Sequence, residues 1–242
     1  MSTAVSTPPT RLQCPICGSE RFGDFRSRVN VRCSGCGSFE RSRLLWLVLS
    51  QLELEATGRP FFHVAPEIGI AKLLHARLGE RYRAFDFSPD IYAKAKIPVG
   101  RLDLCSDLSG MATGSVGGFC HVHVLEHVRC NAALVLQQIN RVLAPGGYHV
   151  FGVPFWSRQY REDLSSELTD ADRLSRFGHE DHVRSFGDQD FTVMFGGAFE
   201  GMEAIPLSRL IEVEAAARCN IPPRALTLNN SHSLFVYRKP IP

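Results

Sequence analysis

The sequence predicts an α/β protein: a mostly parallel sheet covered on both faces, with a small cysteine module ahead of it. Two observations predict this. From Phe61 onward, short β-prone apolar runs alternate with helical stretches, the pattern of a parallel sheet with crossover helices. Before that run stand two Cys-x-x-Cys pairs. With 242 residues and 44% hydrophobic content, there is material for one medium domain plus a small appendage.

Taken in order, residues 1–10 are polar and Pro-containing, without a charged start or an apolar stretch. They read as a disordered tail and a poor signal peptide. No apolar run approaches the ~20 residues of a membrane span. A cytoplasmic location is expected, and with it a reducing compartment in which disulfides are rare. The net charge is +2, but it is unevenly spread. Residues 1–45 carry seven Arg against Glu20, Asp24 and Glu40, so a basic module precedes a near-neutral body.

That module, residues 11–43, holds Cys14-Pro15-Ile16-Cys17 and Cys33-Ser34-Gly35-Cys36. Two residues between thiolates let one tight turn present both sulfurs to a tetrahedral metal. Gly18 and Gly37, each one residue past a knuckle, suit the turn. The spacing predicts a closed structural zinc ribbon on Cys14, Cys17, Cys33 and Cys36. Cys105, Cys120, Cys130 and Cys219 have no ligand spacing, and Cys105 and Cys120 are expected in the core.

The body is residues 44–242. Ser38 is the expected N-cap of a helix running through Leu44–Leu54. Strand Phe61–Ala65, helix Gly69–Leu78 and strand Tyr82–Phe87 follow. A third strand ends at Leu102–Leu104 and a fourth spans Phe119–Leu125. Helix Asn131–Leu143 stops at Pro145-Gly146-Gly147 before a fifth strand, Tyr148–Pro154. The pattern breaks over residues 156–187, and Ser233–Arg238 looks like an edge strand.

Open α/β sheets bind ligands at the carboxyl ends of their strands. Asp86 is placed there to accept from a ribose diol, and Asp103 to hold an adenine amino group. Ala65-Pro66-Glu67-Ile68-Gly69 falls where a nucleotide-binding turn belongs. The alternative reading has Asp86 capping the turn at Ser88-Pro89 and Pro145-Gly146-Gly147 serving as a helix stop alone.

Val124-Leu125-Glu126-His127-Val128 followed by Arg141-Val142-Leu143-Ala144-Pro145-Gly146-Gly147 resembles the class I S-adenosylmethionine-dependent methyltransferases. The whole arrangement looks like a subgroup of them with an N-terminal zinc ribbon. Gly37 to Leu47, His63 to Glu67 and Gly178 to Arg184 also look like that subgroup. The resemblance implies a Rossmann-like, mostly parallel seven-stranded sheet. It implies that Ala65, Pro66, Glu67 and Gly69, with His63 before them, wrap the methionine part of S-adenosylmethionine. Asp86, with Phe87 beside it, would bind the ribose. Asp103 and Leu104 would meet the adenine, and His123 and Val124 would line the methyl-transfer face. The family's Gly-x-Gly-x-Gly turn keeps only Gly69 here, and His63 stands where an acidic residue is usual.

Methyl transfer is an in-line displacement in which the enzyme supplies alignment. An oxygen or nitrogen acceptor can also need a base. His182, His179 and His123 are the candidates, with His127 as a further histidine. His179-Glu180-Asp181-His182 is the richest segment, in the region (156–187) where this fold builds its acceptor side. There Asp181 could instead orient His182 or pair with Arg184. Its spacing offers no third clear partner for a metal. Glu126 and His127 are expected to cap the next helix or support the site. Trp156, Arg158, Tyr160 and Arg161 could line an acceptor pocket or form a solvated insertion. Arg41 and Arg43 are expected to pair with surface carboxylates rather than reach the active site. The acceptor is expected to be a small molecule or sugar. RNA held by the basic ribbon, and a non-catalytic cofactor-binding scaffold, are the alternatives.

Overall fold

The computed structural model describes residues 11–227 and 229–242. The tail expected at residues 1–10 lies outside the described residues. The cysteine module is a two-stranded antiparallel hairpin, β1 (Phe22–Phe25) and β2 (Arg28–Cys33), flanked by the two knuckles. Each knuckle closes alike: Gly18 N–H donates to the Cys14 carbonyl at 2.8 Å, and Gly37 N–H to the Cys33 carbonyl at 2.9 Å. Both glycines adopt the left-handed conformation that the sequence assigns them, with φ of 74° and 75°.

Helix α1 (Glu40–Gln51) follows, then β3 (Phe61–Val64), α2 (Ile68–Leu78), β4 (Tyr82–Asp86), β5 (Val99–Arg101), β6 (Val116–Val122), α3 (Ala132–Val142) and β7 (Leu143–Gly152). Next come β8 (Phe155–Ser157), β9 (Arg161–Glu162), α4 (Asp170–Phe177), β10 (Arg184–Gly187), α5 (Phe191–Phe195), β11 (Glu203–Ala204), α6 (Val213–Arg218) and β12 (Phe235–Arg238). The central sheet has seven strands in the order β11-β12-β7-β6-β3-β4-β5. Only β12 runs against its neighbours. The order reverses at β3 and β6, which places the topological switch point at their carboxyl ends. Residues 155–187 contribute β8, β9 and β10, a separate three-stranded sheet.

Alternation along the strands divides the core in two. Phe61, Cys120, Tyr148 and Val150 point toward α1 and α2, against Leu44, Leu49 and Leu74. Phe62, Phe119 and Phe151 point toward α3, against Leu136 and Ile139. Each fully buried side chain of this size contributes about 1.5–3 kcal/mol. Asn131 caps α3 by accepting from Leu134 N–H at 3.1 Å.

Several expectations are corrected. Ser38 does not cap α1. Phe39 occupies that position without a side-chain cap, and the Ser38 hydroxyl lies 3.2 Å from Cys36 Sγ and 3.5 Å from Cys14 Sγ. The third strand ends at Arg101, and the fourth at Val122 rather than Leu125. The fifth begins at Leu143, so Pro145-Gly146-Gly147 lies within a strand. Cys105 is exposed and bonded to Cys130 as a disulfide, whereas Cys120 is fully buried. The disulfide ties the loop after β5 to the loop before α3.

Candidate active site

The residues expected to meet the cofactor lie along the carboxyl edge of the sheet. Two of them carry unusual backbone. Ala65, just after β3, has φ of 51°, and His123, just after β6, has φ of 55°. Left-handed non-glycine residues are costly and concentrate where surrounding structure and function demand them. Backbone bonds hold both: Ala65 N–H to Phe85 O at 2.9 Å and His123 N–H to Gly152 O at 2.9 Å.

His63 is buried in β3. Its Nδ1 lies 3.1 Å from the Tyr82 hydroxyl, and its Nε2 lies 3.2 Å from Glu67 Oε2. His63 in the strand therefore positions a carboxylate four residues later, just before α2. Burial pushes the Glu67 carboxyl up, but the His63 hydrogen bond and the charges of His63 and Arg41 outweigh it, and the group ends below its ordinary range. Gly69 is kept for packing: a Cβ there would stand 2.9 Å from Ile16 Cγ2, so the first knuckle lies directly on the start of α2.

Asp86 accepts from Ser88 N–H at 2.8 Å and from the Tyr92 hydroxyl at 3.1 Å, so the turn-capping role is real. A carboxylate has about four acceptor sites, which leaves capacity for a diol. Phe87 is exposed beside it, with the Arg101 guanidinium 5.2 Å from its ring centre. Asp103 caps its own loop by accepting from Cys105 N–H at 2.9 Å, and Leu104 is buried next to it. Val124 follows His123 and packs partly buried against the α3 side of the core.

Beyond β6 the fold assembles what the sequence left scattered. Arg41 Nη1 lies 3.1 Å from His123 Nδ1, so the first turn of α1 reaches the end of the central strand. Burial, and then the Arg41 charge, hold His123 well below its ordinary value. Arg43 is fully buried and donates to the carbonyls of Cys219, Val31, Ser38 and Asn220. Neither arginine pairs with a surface carboxylate, contrary to the expectation from sequence.

Glu126 and His127 meet the distant segment 179–182. His127 Nδ1 is 3.2 Å from Asp181 Oδ2, and His179 Nδ1 is 2.5 Å from Asp181 Oδ1. The His127 and His182 rings stand edge to face at 4.8 Å. Asp181 thus orients His127 and His179, not His182 or Arg184. The Phe177 carbonyl, 3.1 Å from Nδ1, orients His182. Arg184 is fully buried and staples the two segments together: it donates to Glu162, to the Cys130 carbonyl at 2.7 Å and to the Leu125 carbonyl. Val183 N–H adds a bond to the Glu126 carbonyl at 2.9 Å. Glu126 caps no helix. It is fully buried, and neither carboxylate oxygen has a hydrogen-bond partner. Burial pushes its carboxyl up to about 8 and the His182 imidazole down to about 4.

A cleft of 720 Å³ is lined by Trp156, Arg158, Arg161, Arg176, Asp188 and Gln189, among others. The Trp156 ring lies against Gly178, the residue before His179. Tyr160 does not open to this space. It packs on Phe186 and Phe195 and donates to Glu162 at 2.7 Å.

Residues 66–151 match the sequence model of a methyltransferase domain. The chain carries a methyltransferase domain. Its fold is similar to a chain from the complex between the Haloferax volcanii Trm112 methyltransferase activator and a methyltransferase. That match has 13% identity and a TM-score of 0.50, covering 81% of this chain and 90% of that one. It is also similar to an S-adenosylmethionine-dependent methyltransferase from Archaeoglobus fulgidus, with 14% identity, a TM-score of 0.50 and coverage of 82% and 92%. No curated protein sequence matches the chain. Among the described residues, no helix of this methyltransferase is long and apolar enough to cross a membrane.

The charge of the cysteine module in this methyltransferase is largely committed internally. Arg11 pairs with Glu20, Arg28 with Glu40, Arg41 faces His123 and Arg43 is buried. Arg21, Arg26 and Arg32 remain exposed, a thin surface for a phosphate backbone. The four cysteine sulfurs converge, with Cys14 Sγ 3.7 Å from Cys36 Sγ and Cys17 Sγ 3.5 Å from Cys33 Sγ. Thiolates ~2.3 Å from a tetrahedral zinc ion stand at about that separation.

Proposed function

We propose that this methyltransferase transfers a methyl group from S-adenosylmethionine to an oxygen or nitrogen of a small molecule or sugar. The observation that carries the reading is the pairing of a strained carboxyl edge of the sheet, at Ala65 and His123, with the neighbouring histidine–carboxylate cluster. When bound, the cofactor supplies a sulfonium methyl for in-line displacement. The turn from Ala65 to Gly69 wraps its methionine part, and Glu67 holds the ammonium. Asp86 with Phe87 takes the ribose, and Asp103 with Leu104 takes the adenine. His123 and Val124 border the methyl group.

His182 is the favoured proton acceptor among His182, His179 and His123. Its Nδ1–H is given to the Phe177 carbonyl, which leaves Nε2 with the lone pair. His179 is exposed and bound to Asp181, and His123 faces a guanidinium. The three-stranded sheet of residues 156–187 frames the acceptor. The zinc ribbon of residues 11–43 is structural, its Cys14, Cys17, Cys33 and Cys36 enclosing one Zn2+ and its Ile16 bracing the cofactor turn at Gly69.

Labelled S-adenosylmethionine and a fractionated cell extract test the reading. Label is expected in the small-molecule or glycan fraction. Label in RNA, or in no fraction, overturns it. His182→Ala is expected to cut turnover by about 10²-fold or more with cofactor affinity unchanged. Equal losses in both would mean a structural role.

A further inference from the structure

We propose that Glu126, His127 and His182 form a binding site for a divalent first-row transition-metal cation, separate from the cysteine cluster. One ligand atom from each of the three lies within 4.8 Å of those of the other two. Two imidazoles and one carboxylate with open positions suit Fe2+, Co2+, Ni2+ or Zn2+.

Three observations carry the site. The first is Glu126. A fully buried carboxylate with no partner on either oxygen is rare, because burying such a group without compensation is costly. Its Oε1 lies 4.0 Å from His127 Nε2 and 3.5 Å from His123 Nδ1, beyond good hydrogen-bonding distance of the first. A cation at the centre of the cluster gives those oxygens a partner. The second is the orientation of the rings. A metal-binding histidine characteristically gives its other ring N–H to a carboxylate or a backbone carbonyl. His127 offers Nδ1 to Asp181 and His182 offers Nδ1 to the Phe177 carbonyl. Each imidazole is thereby left with an Nε2 lone pair. The third is rigidity: buried Arg184 and the Val183–Glu126 backbone bond hold the two ligand-bearing segments in register. Contrary to the expectation from spacing, His179, Asp181 and His182 also converge to within 4.8 Å, but Asp181 is there bonded to His179 and His127; the buried, unpartnered carboxylate comes from the loop after β6, more than fifty positions away.

His127 is half-buried, so one side of the site meets solvent and an acceptor oxygen can complete the coordination. The acceptor O–H then gives its proton to solvent as the oxygen enters, and no oxidant or reductant is needed. This use of the cation rests on the proposed methyl transfer: with the cation bound, His182 Nε2 holds the metal and the proton goes to solvent, whereas in the metal-free site the same Nε2 is the proton acceptor. The binding itself does not.

The test is a titration of Co2+ into full-length protein preloaded with one equivalent of Zn2+, followed by calorimetry and visible absorption. One Co2+ per chain is expected, with ligand-field bands but without the thiolate charge transfer that cysteine ligands would show. Glu126→Gln and His182→Ala are each expected to weaken binding at least ~10-fold, and Asp181→Asn by ~10–100-fold. Circular dichroism checks that each variant is folded. His127→Ala, at a partly exposed position, stands in for any that is not. Absence of any bound Co2+ beside the preloaded Zn2+, thiolate charge transfer from the bound Co2+, or affinity indifferent to the ligand variants overturns the site. Stoichiometric Co2+ binding without methyl transfer to any fraction leaves the site standing and removes the proposed function instead.

Discussion

At the scale of single residues, the edge of the sheet is decided by side chains whose roles depend on one neighbour each. Glu67 is the clearest case. His63 and Arg41 keep it charged despite its surroundings. In the proposed cofactor site its contribution to a cationic ligand lies in that charge, since hydrogen bonds to charged groups contribute about 1.5–3 kcal/mol. Glu67→Gln is therefore expected to weaken S-adenosylmethionine binding by about 10–100-fold in calorimetry while leaving the melting temperature nearly unchanged. Unchanged affinity would remove Glu67 from the cofactor site. Asp86 was legible at its position because it ends β4, whereas Asp103 lies two residues past the end of β5. The local capping bond of Asp86 was legible too, that of Asp103 was not, and each carboxylate keeps acceptor capacity for the proposed cofactor contact. Arg184 was not legible as a staple. A buried guanidinium bonded to carbonyls from the loop after β6 has no local sequence signal.

At the scale of elements, the cysteine module docks on the main domain rather than hanging from it. Arg43 in α1 binds carbonyls of the module and of the segment after α6, and Ile16 rests on Gly69. If that contact positions the cofactor turn, Gly69→Ala forces the Ile16 methyl aside and costs about 1–3 kcal/mol. Ile16→Ala in the same chain should restore much of the loss. Urea melts of the two single variants and the double variant measure the coupling. Strictly additive losses would mean that the knuckle does not press on the turn. The sequence contained the knuckles completely, because two-residue spacing is a local property. It did not contain their docking, which depends on side chains meeting across the chain.

At the scale of the whole molecule, two histidines on the α3 side of the central sheet make stability depend on pH. His121 Nε2 and His149 Nε2 lie 2.9 Å apart, and His149 Nδ1–H donates to Asn140 at 2.8 Å. Burial pushes His121 down to about 3 and His149 well below its ordinary value. The folded state keeps both neutral while the unfolded chain binds protons below about pH 6.5. Stability is thus fully present above that pH and falls as pH drops, by up to about 1.4 kcal/mol per unit for each histidine. Urea melts are expected to show a loss of about 2–4 kcal/mol between pH 7 and pH 5. His121→Phe should flatten that slope, and an unchanged slope would show that this pair does not cause it.

The sequence by itself determined the alternation of strands and helices, the four-cysteine cluster and the carboxylate at the end of β4. These follow from periodicity, two-residue spacing and position relative to a strand, all short-range properties. Only the tertiary structure decided what surrounds them. It joined Glu126 and His127 to the segment around His182 and carried Arg41 to His123. It also buried Arg43 and Arg184 among carbonyls and linked Cys105 to Cys130. Each of these meetings spans loops whose closure leaves no periodic trace, because the sheet order, not the chain order, sets which ends are neighbours.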